Sequence, residues 1–528
     1  MRRLGTIILF LSQTIAVCGQ HISQFRSLLP GSQETYLVLP MSHSFDYIIE
    51  KGDPLTEGGM LPGRCDFTGY VPINQSSSEG YLSINSESTP GGVTILELHL
   101  ESSIAKWIVD KSKAVDFSSV GGTARNCSGG ITPWGTIITC EEITSGDENG
   151  DGYNDLGWAI EIDPVSKKVV DQNGGLDGGD KLWALGNFSH ENAVLHPNRR
   201  TVYQGIDNSV GYLYKFVADV AENLSSGKLF VYKGSKDGSG EWIRLNNSTI
   251  TEQNNTIAQS IEVGATLFLG IEDVEINPID GLVYLAVKDE DRVYRFADSD
   301  PISGTMVSNF QTYVGATSYK ISNGEVVVTE PWGTGNDNLV FDDQGNLWVA
   351  QDGGNNYIWL VEYGHTKESP KVKIFARTPK GSEPTGLTFT PDYKYLFMSI
   401  QHPSAENNKS LQLDAFGVAR KFDRDVAIVV ALKENLNNNI TSISESKDFE
   451  SLLPYPNPSS GIIHVKIKEG WSVEDVQLLC GNGVRMNIEY QLNNQELVIP
   501  VPGISNGTYY LRVLTNGKWI NKKILIQN

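Results

Sequence analysis

Apolar and polar positions alternate along the middle of the chain in short runs that come in pairs. The pairs are AIEIDPVSKKVV (159–170), AVLHPNRRTVYQG (193–205), VEINPIDGLVYLAV (274–287), LVFDDQGNLWVAQD (339–352) and LTFTPDYKYLFMSI (387–400). Each has one alternating run, a polar turn that usually holds proline, and a second run carrying Tyr, Trp or Phe. Successive side chains of a strand point to opposite faces, so period-two alternation about a tight turn predicts a β-hairpin. A sixth pair, FTGYVPI…GYLSINSE, occupies 67–87. Hairpins recurring at irregular intervals, in a chain with 53 glycines and little helical periodicity, predict an all-β, six-bladed propeller over 20–435. A large β-sandwich is the alternative, and it would lack one hairpin per repeat.

The pattern changes at both ends. Residues 436–452 are polar and rich in Asn and Ser, which predicts a linker. From 453 to 528, short apolar runs separated by Gly and Asn turns predict a small β-sandwich of about seven strands or fewer. Residues 1–19 begin with Arg2 and Arg3, continue through the apolar run Ile7–Leu11 and reach Val17-Cys18-Gly19. A basic start, an apolar core too brief to span a bilayer and small residues before the junction describe a signal peptide. No later run is apolar for long enough to cross a membrane, so the mature protein is expected to be exported and soluble.

Charge narrows the partners. The chain carries 42 Lys and Arg against 63 Asp and Glu, a net −21, and loss of Arg2 and Arg3 with the signal makes it 40 − 63 = −23. Such a surface repels nucleic acid and anionic membranes and suits divalent cations. A monomer is expected. Five cysteines, one of them in the signal, are too few for a disulfide framework.

Acids recur at matched places in the repeats. Glu141-Glu142, His190-Glu191, Glu272-Asp273, Asp337-Asn338 and Glu383 each lie about two to five residues upstream of a predicted strand, and Asp207 follows the run VYQG. Propeller blades deliver equivalent residues to the mouth of one central channel. Carboxylates gathered there repel unless cations neutralise them, and oxygen-rich clusters suit hard cations such as calcium. Taken singly, each acid is an ordinary turn residue; the recurrence is what predicts a metal site. In RNCSGGITPWGTIITCEE (125–142), Cys127 is either a thiolate ligand beside these carboxylates or one half of a disulfide with Cys140. The adjacent Gly129-Gly130 would let the backbone pass close to the metals. No G-x-S-x-G, H-E-x-x-H or P-loop pattern is present, so other hydrolase readings have no anchor.

The stretch 125–142, together with LGNFSHENAVLHP, GYLYKFV, IEDVEINP, DNLVFDDQGNLWVAQDG and SEPTGLTFTP…MSIQHP, resembles the PhoX-type alkaline phosphatases from about residue 40 to about 430. The resemblance implies a six-bladed propeller with an axial iron and calcium cofactor and hydrolysis of small phosphate esters. It implies Cys127 as the thiolate ligand of iron and Glu142, Glu191 and Glu272 as carboxylate ligands, with Asp207 and Asp337 at further acidic positions and Asn338 near the phosphate. Glu383 is added as a metal ligand from its place in the repeat. One departure bears on activity: the family carries an arginine just before the glutamate matching Glu272, where this chain has Gly270-Ile271. Either another cation such as Arg125 contacts the phosphate, or the protein acts on something else. A non-catalytic, calcium-binding surface propeller is the alternative.

Two further features stand apart. Asp147, Asn149, Asp151 and Asp155 are spaced like the front of a calcium loop, with Trp158 where the closing glutamate belongs, so a structural calcium or a solvated turn fits equally. The C-terminal PNP-x-x-G start, G-x-G-V centre and ISNGTYYLRV finish resemble the sorting domain of type IX secretion substrates. That resemblance implies handling by the type IX machinery, then release or attachment at the cell surface.

Overall fold

The computed structural model of the chain describes residues 21–172, 180–437, 452–468, 470–480, 485–486, 488–493, 495–515 and 518–527. The expected signal segment 1–19 and nearly all of the expected linker 436–452 lie outside the described residues. Among them, no helix is long and apolar enough to cross a membrane.

Residues 43–432 form six antiparallel groups of four strands. Their innermost strands are Cys65–Pro72, Asn126–Ile131, His190–Leu195, Ile271–Ile276, Asn336–Phe341 and Glu383–Phe389, here the inner strands of blades 1 to 6. Each inner strand touches the next, and the sixth touches the first, so the ring is closed. Alternation follows from this geometry, because both faces of a blade pack on neighbours. Six apolar clusters fill the six gaps. Ile138, Ala193 and Tyr214 lie in the gap between blades 2 and 3, for example, and Leu82, Phe397 and Val429 in the gap between 6 and 1. Strands two and three of a blade are accordingly buried on both sides, as Val283–Val287 shows.

Two connections were not visible in the repeats. Blade 6 takes its outermost strand, His43–Glu50, from the start of the chain, pairing it with Val426–Leu432 near the end. Strand Gly238–Leu245 pairs with the outer strands of both blade 3 and blade 4, stitching their rims together. The hairpin predicted at 159–170 is the outer half of blade 2, strands Ala159–Asp163 and Lys168–Val169, whereas the other five predicted hairpins are inner halves.

The C-terminal unit is two four-stranded sheets facing each other across a core that includes Ile463, Leu478, Leu497 and Leu511. Among its described residues there are eight strands, two of them only two residues long, against the seven or fewer that the sequence predicts.

Candidate metal centre

The channel mouth is built by two sequence rules repeated around the ring. The second residue of the inner strand is Asp66, Cys127, Glu191, Glu272 and Asp337 in blades 1 to 5, and Glu383 opens the inner strand of blade 6. The residue just past the second strand is Glu87, Glu142, Asp207, Lys288, Asp352 and His402, in blade order. Every inner strand has a register shift near its start, for example between Asn126 and Gly129 or between Asn336 and Leu339. An extra residue in one strand re-aims its neighbours, and here it coincides with the residues at the axis. The acids are therefore the first rungs of the strands, not the loop residues upstream of them.

Ligand geometry is concentrated at Glu191. Single donor atoms of Cys127, Glu142 and Glu191 lie within 4.8 Å of one another, and so do those of Glu191, Glu272 and Asp337. Glu191 is fully buried, and its Oε2 has no hydrogen-bond partner. A buried carboxylate oxygen without a partner is costly unless something fills the place. The donor set is oxygen plus one sulfur, which fits hard cations together with a metal that accepts thiolate.

The charges agree. Burial, reinforced by neighbouring carboxylates, pushes Asp66, Glu191, Glu272 and Asp337 well above the usual carboxylate range. Burial likewise raises Glu142 to about 7 against the pull of Arg125, and raises Glu383 to about 7 against the pull of His402. Burial and the surrounding acids hold the Cys127 thiol protonated, donating to Asp66 Oδ2 at 3.3 Å. Three cations stand among these acids. Arg125 Nη2 bridges Glu87 at 2.5 Å and Glu142 at 2.7 Å. Lys288 Nζ lies 2.7 Å from Glu272 and 3.9 Å from Asp352. Burial works against the Lys288 charge, but Glu272, Asp337 and Asp207 outweigh it and keep the ammonium protonated. His402 Nε2 lies 2.7 Å from Glu383, which lifts the imidazole to about 9.

Arg125, Cys127, Glu142, Glu191, Asp207, Glu272, Asp337 and Glu383 thus come together as the sequence predicts. Asn338 sits further down the channel, where its Oδ1 accepts the Gly386 N–H at 2.7 Å. Asp147, Asn149, Asp151 and Asp155 belong to a loop outside this cluster; Asp147 accepts the Gly150 and Gly152 N–H groups at 2.6 and 2.9 Å. The four cysteines among the described residues, Cys65, Cys127, Cys140 and Cys480, are free, so Cys127 and Cys140 form no disulfide. They cannot face each other, because Cys140 points into the apolar cluster between blades 2 and 3. Gly129 and Gly130 serve close packing, not metal approach: a Cβ would meet the Ile138 carbonyl at 2.1 Å and the Ala193 carbonyl at 2.2 Å. The sequence reading missed Asp66, Glu87, Lys288, Asp352 and His402.

The family model of alkaline phosphatase PhoX matches residues 104–404, more than half of the chain. The chain belongs to the PhoX alkaline phosphatase family. This makes it a phosphatase of a metal-dependent family. A second model, the secretion system C-terminal sorting domain, matches residues 454–527, which marks the protein for export to the cell surface or beyond it. A solved structure of Pseudomonas fluorescens PhoX in complex with vanadate, a transition state analogue, shares the fold at 20% identity and a TM-score of 0.59, covering 78% of this chain and 98% of that one. The luciferin-regenerating enzyme matches at 14% identity, TM-score 0.39, covering 73% and 95%. The Pseudomonas aeruginosa periplasmic gluconolactonase PpgL matches at 12% identity, TM-score 0.34, covering 74% and 99%. No curated protein matches this chain by sequence.

Proposed function

We propose that the protein is an exported phosphomonoesterase whose two triads hold iron and calcium. Cys127, Glu142 and Glu191 would hold iron, which accepts thiolate; Glu191, Glu272 and Asp337, with Asp207 and Glu383 nearby, would hold calcium. The observation that carries this reading is Glu191, one carboxylate common to both triads, with an unpartnered oxygen. Bound cations supply the charge that neutralises phosphoryl oxygens and activates an oxygen nucleophile. In the reaction a water oxygen forms a bond to phosphorus, the ester P–O bond breaks, and the alcohol leaves with a proton. Arg125 of blade 2 and Lys288 of blade 4 contribute fixed positive charge from either side of blade 3, toward which phosphoryl oxygens can turn. Lys288 also lies beside Gly270, one of the two residues standing where the family carries its arginine: a Cβ on Gly270 would be 3.5 Å from the Lys288 Cβ.

The test is elemental analysis of the purified mature protein, with hydrolysis of p-nitrophenyl phosphate before and after chelation. Both iron and calcium, and activity that chelation abolishes, are expected. Calcium without iron, in protein from iron-supplied cells, would return Cys127 to a packing role and favour a calcium-binding surface propeller.

A further inference from the structure

One sector of the mouth differs from the rest. Beside blades 1 and 6 a cavity of about 530 Å³ is lined by Lys51, Arg64, His402 and Arg424, with Asp423 and Asp425. Its size is that of a small-molecule site. In a chain of net charge −21, three permanent cations, Lys51, Arg64 and Arg424, are gathered here beside His402.

These cations are not spent. Arg64 lies 3.8 Å from Glu87, Arg424 3.8 Å from Glu50 and Lys51 3.7 Å from Asp425. Such distances give attraction without a hydrogen bond, and their side chains are 57%, 59% and 55% exposed. The cavity also abuts the metal centre. Glu87 joins Arg64 to Arg125, and His402 joins the cavity to Glu383.

Arg64 carries a second mark. It immediately precedes the inner strand of blade 1, as Arg125 does in blade 2, and both have left-handed backbones, φ 51° and 47°. The equivalent places in blades 4 and 5 are Gly270 and Gly335, each at φ 74°. A long side chain held where glycine is the easy choice points to a role for the side chain. In Arg125 that role is contact with the acids of the centre.

We infer that this cavity binds a second anionic group of the substrate, a carboxylate or a phosphate on the alcohol portion of the ester. The inference rests on the phosphatase reading and adds its substrate class: phosphate monoesters that carry another anion. Arg64 and Arg424 present planar donor pairs suited to either group.

The experiment measures kcat/KM for matched pairs of esters: 3-phosphoglycerate against glycerol 3-phosphate, and fructose 1,6-bisphosphate against fructose 6-phosphate. The doubly anionic member of at least one pair should be preferred by about tenfold or more at low salt, with the preference shrinking as ionic strength rises. Preference in only one pair identifies the anion as carboxylate or phosphate. In Arg64→Met/Arg424→Met the ratio should approach one, and Arg424→Met alone, an exposed change, should lower it severalfold. Equal rates within both pairs, or a ratio untouched by the substitutions, would overturn the subsite while leaving the phosphatase intact. Hydrolysis of none of the four esters would overturn both.

Discussion

At the scale of single residues, Glu191 and Cys127 carry the sharpest expectations. Glu191→Gln keeps the shape and removes the charge shared by both triads, so metal content and phosphatase activity should fall together, by about a hundredfold or more in activity. Elemental analysis beside initial rates checks this; full metal occupancy in the variant would be inconsistent with Glu191 as the common ligand. Cys127→Ser should likewise strip iron, whereas Cys140→Ser should retain it. The latter places a hydroxyl in the apolar gap between blades 2 and 3, at a cost of about 1–3 kcal/mol read by denaturant titration. Similar metal loss in the two variants would sink the thiolate assignment. Most of the acids were legible because they recur at matched places just before the predicted strands. Asp66 was hidden because its strand was read as starting at Phe67, and Lys288 and His402 because a cation after a strand looks like an ordinary turn residue. Their meaning comes only from the ring, which sets them beside Glu272 and Glu383.

At the scale of elements, the closures between blades decide stability. Gly386 opens the packing of blade 6 on blade 1: its φ is 58°, and a Cβ there would lie 2.0 Å from the Thr68 backbone nitrogen. Gly386→Ala should therefore cost about 3 kcal/mol or more, seen as a lowered thermal midpoint. The closing strand brings its own pH dependence. His43 is buried, its Nε2 bonds the Ile22 carbonyl at 2.9 Å, and burial lowers it to about 4 from 6.5. The unfolded chain takes up that proton below about pH 6.5, while the folded chain refuses it until about pH 4. This contribution to stability is thus whole above pH 6.5 and declines as pH falls toward 4, by on the order of 3 kcal/mol. Thermal midpoints measured from pH 8 to 4.5 should fall more steeply for the wild type than for His43→Leu; parallel curves would refute the assignment. The hairpins were legible because alternation and turn residues are local signals. The strand His43–Glu50 was not, because its partner lies almost four hundred residues away and no local pattern marks such a pairing.

For the whole molecule, the sorting unit and the propeller have separate cores. Deleting residues 451–528 should leave a folded ring that fails to leave the cell, tested by fractionation and by the thermal midpoint of the retained protein. Normal secretion of the shortened chain would contradict the role of that unit. The closed ring has a last consequence, and it concerns time. Donors for the two triads come from four blades, spread from Cys127 to Asp337, and the ring that holds them closes only when Val426–Leu432 meets His43–Glu50, a strand made far earlier in the same chain. A nascent or half-translocated chain therefore owns the ligands but not the site. On the proposed metal reading, the metals acquired would be those present where the final strand docks, and not those where the chain was made.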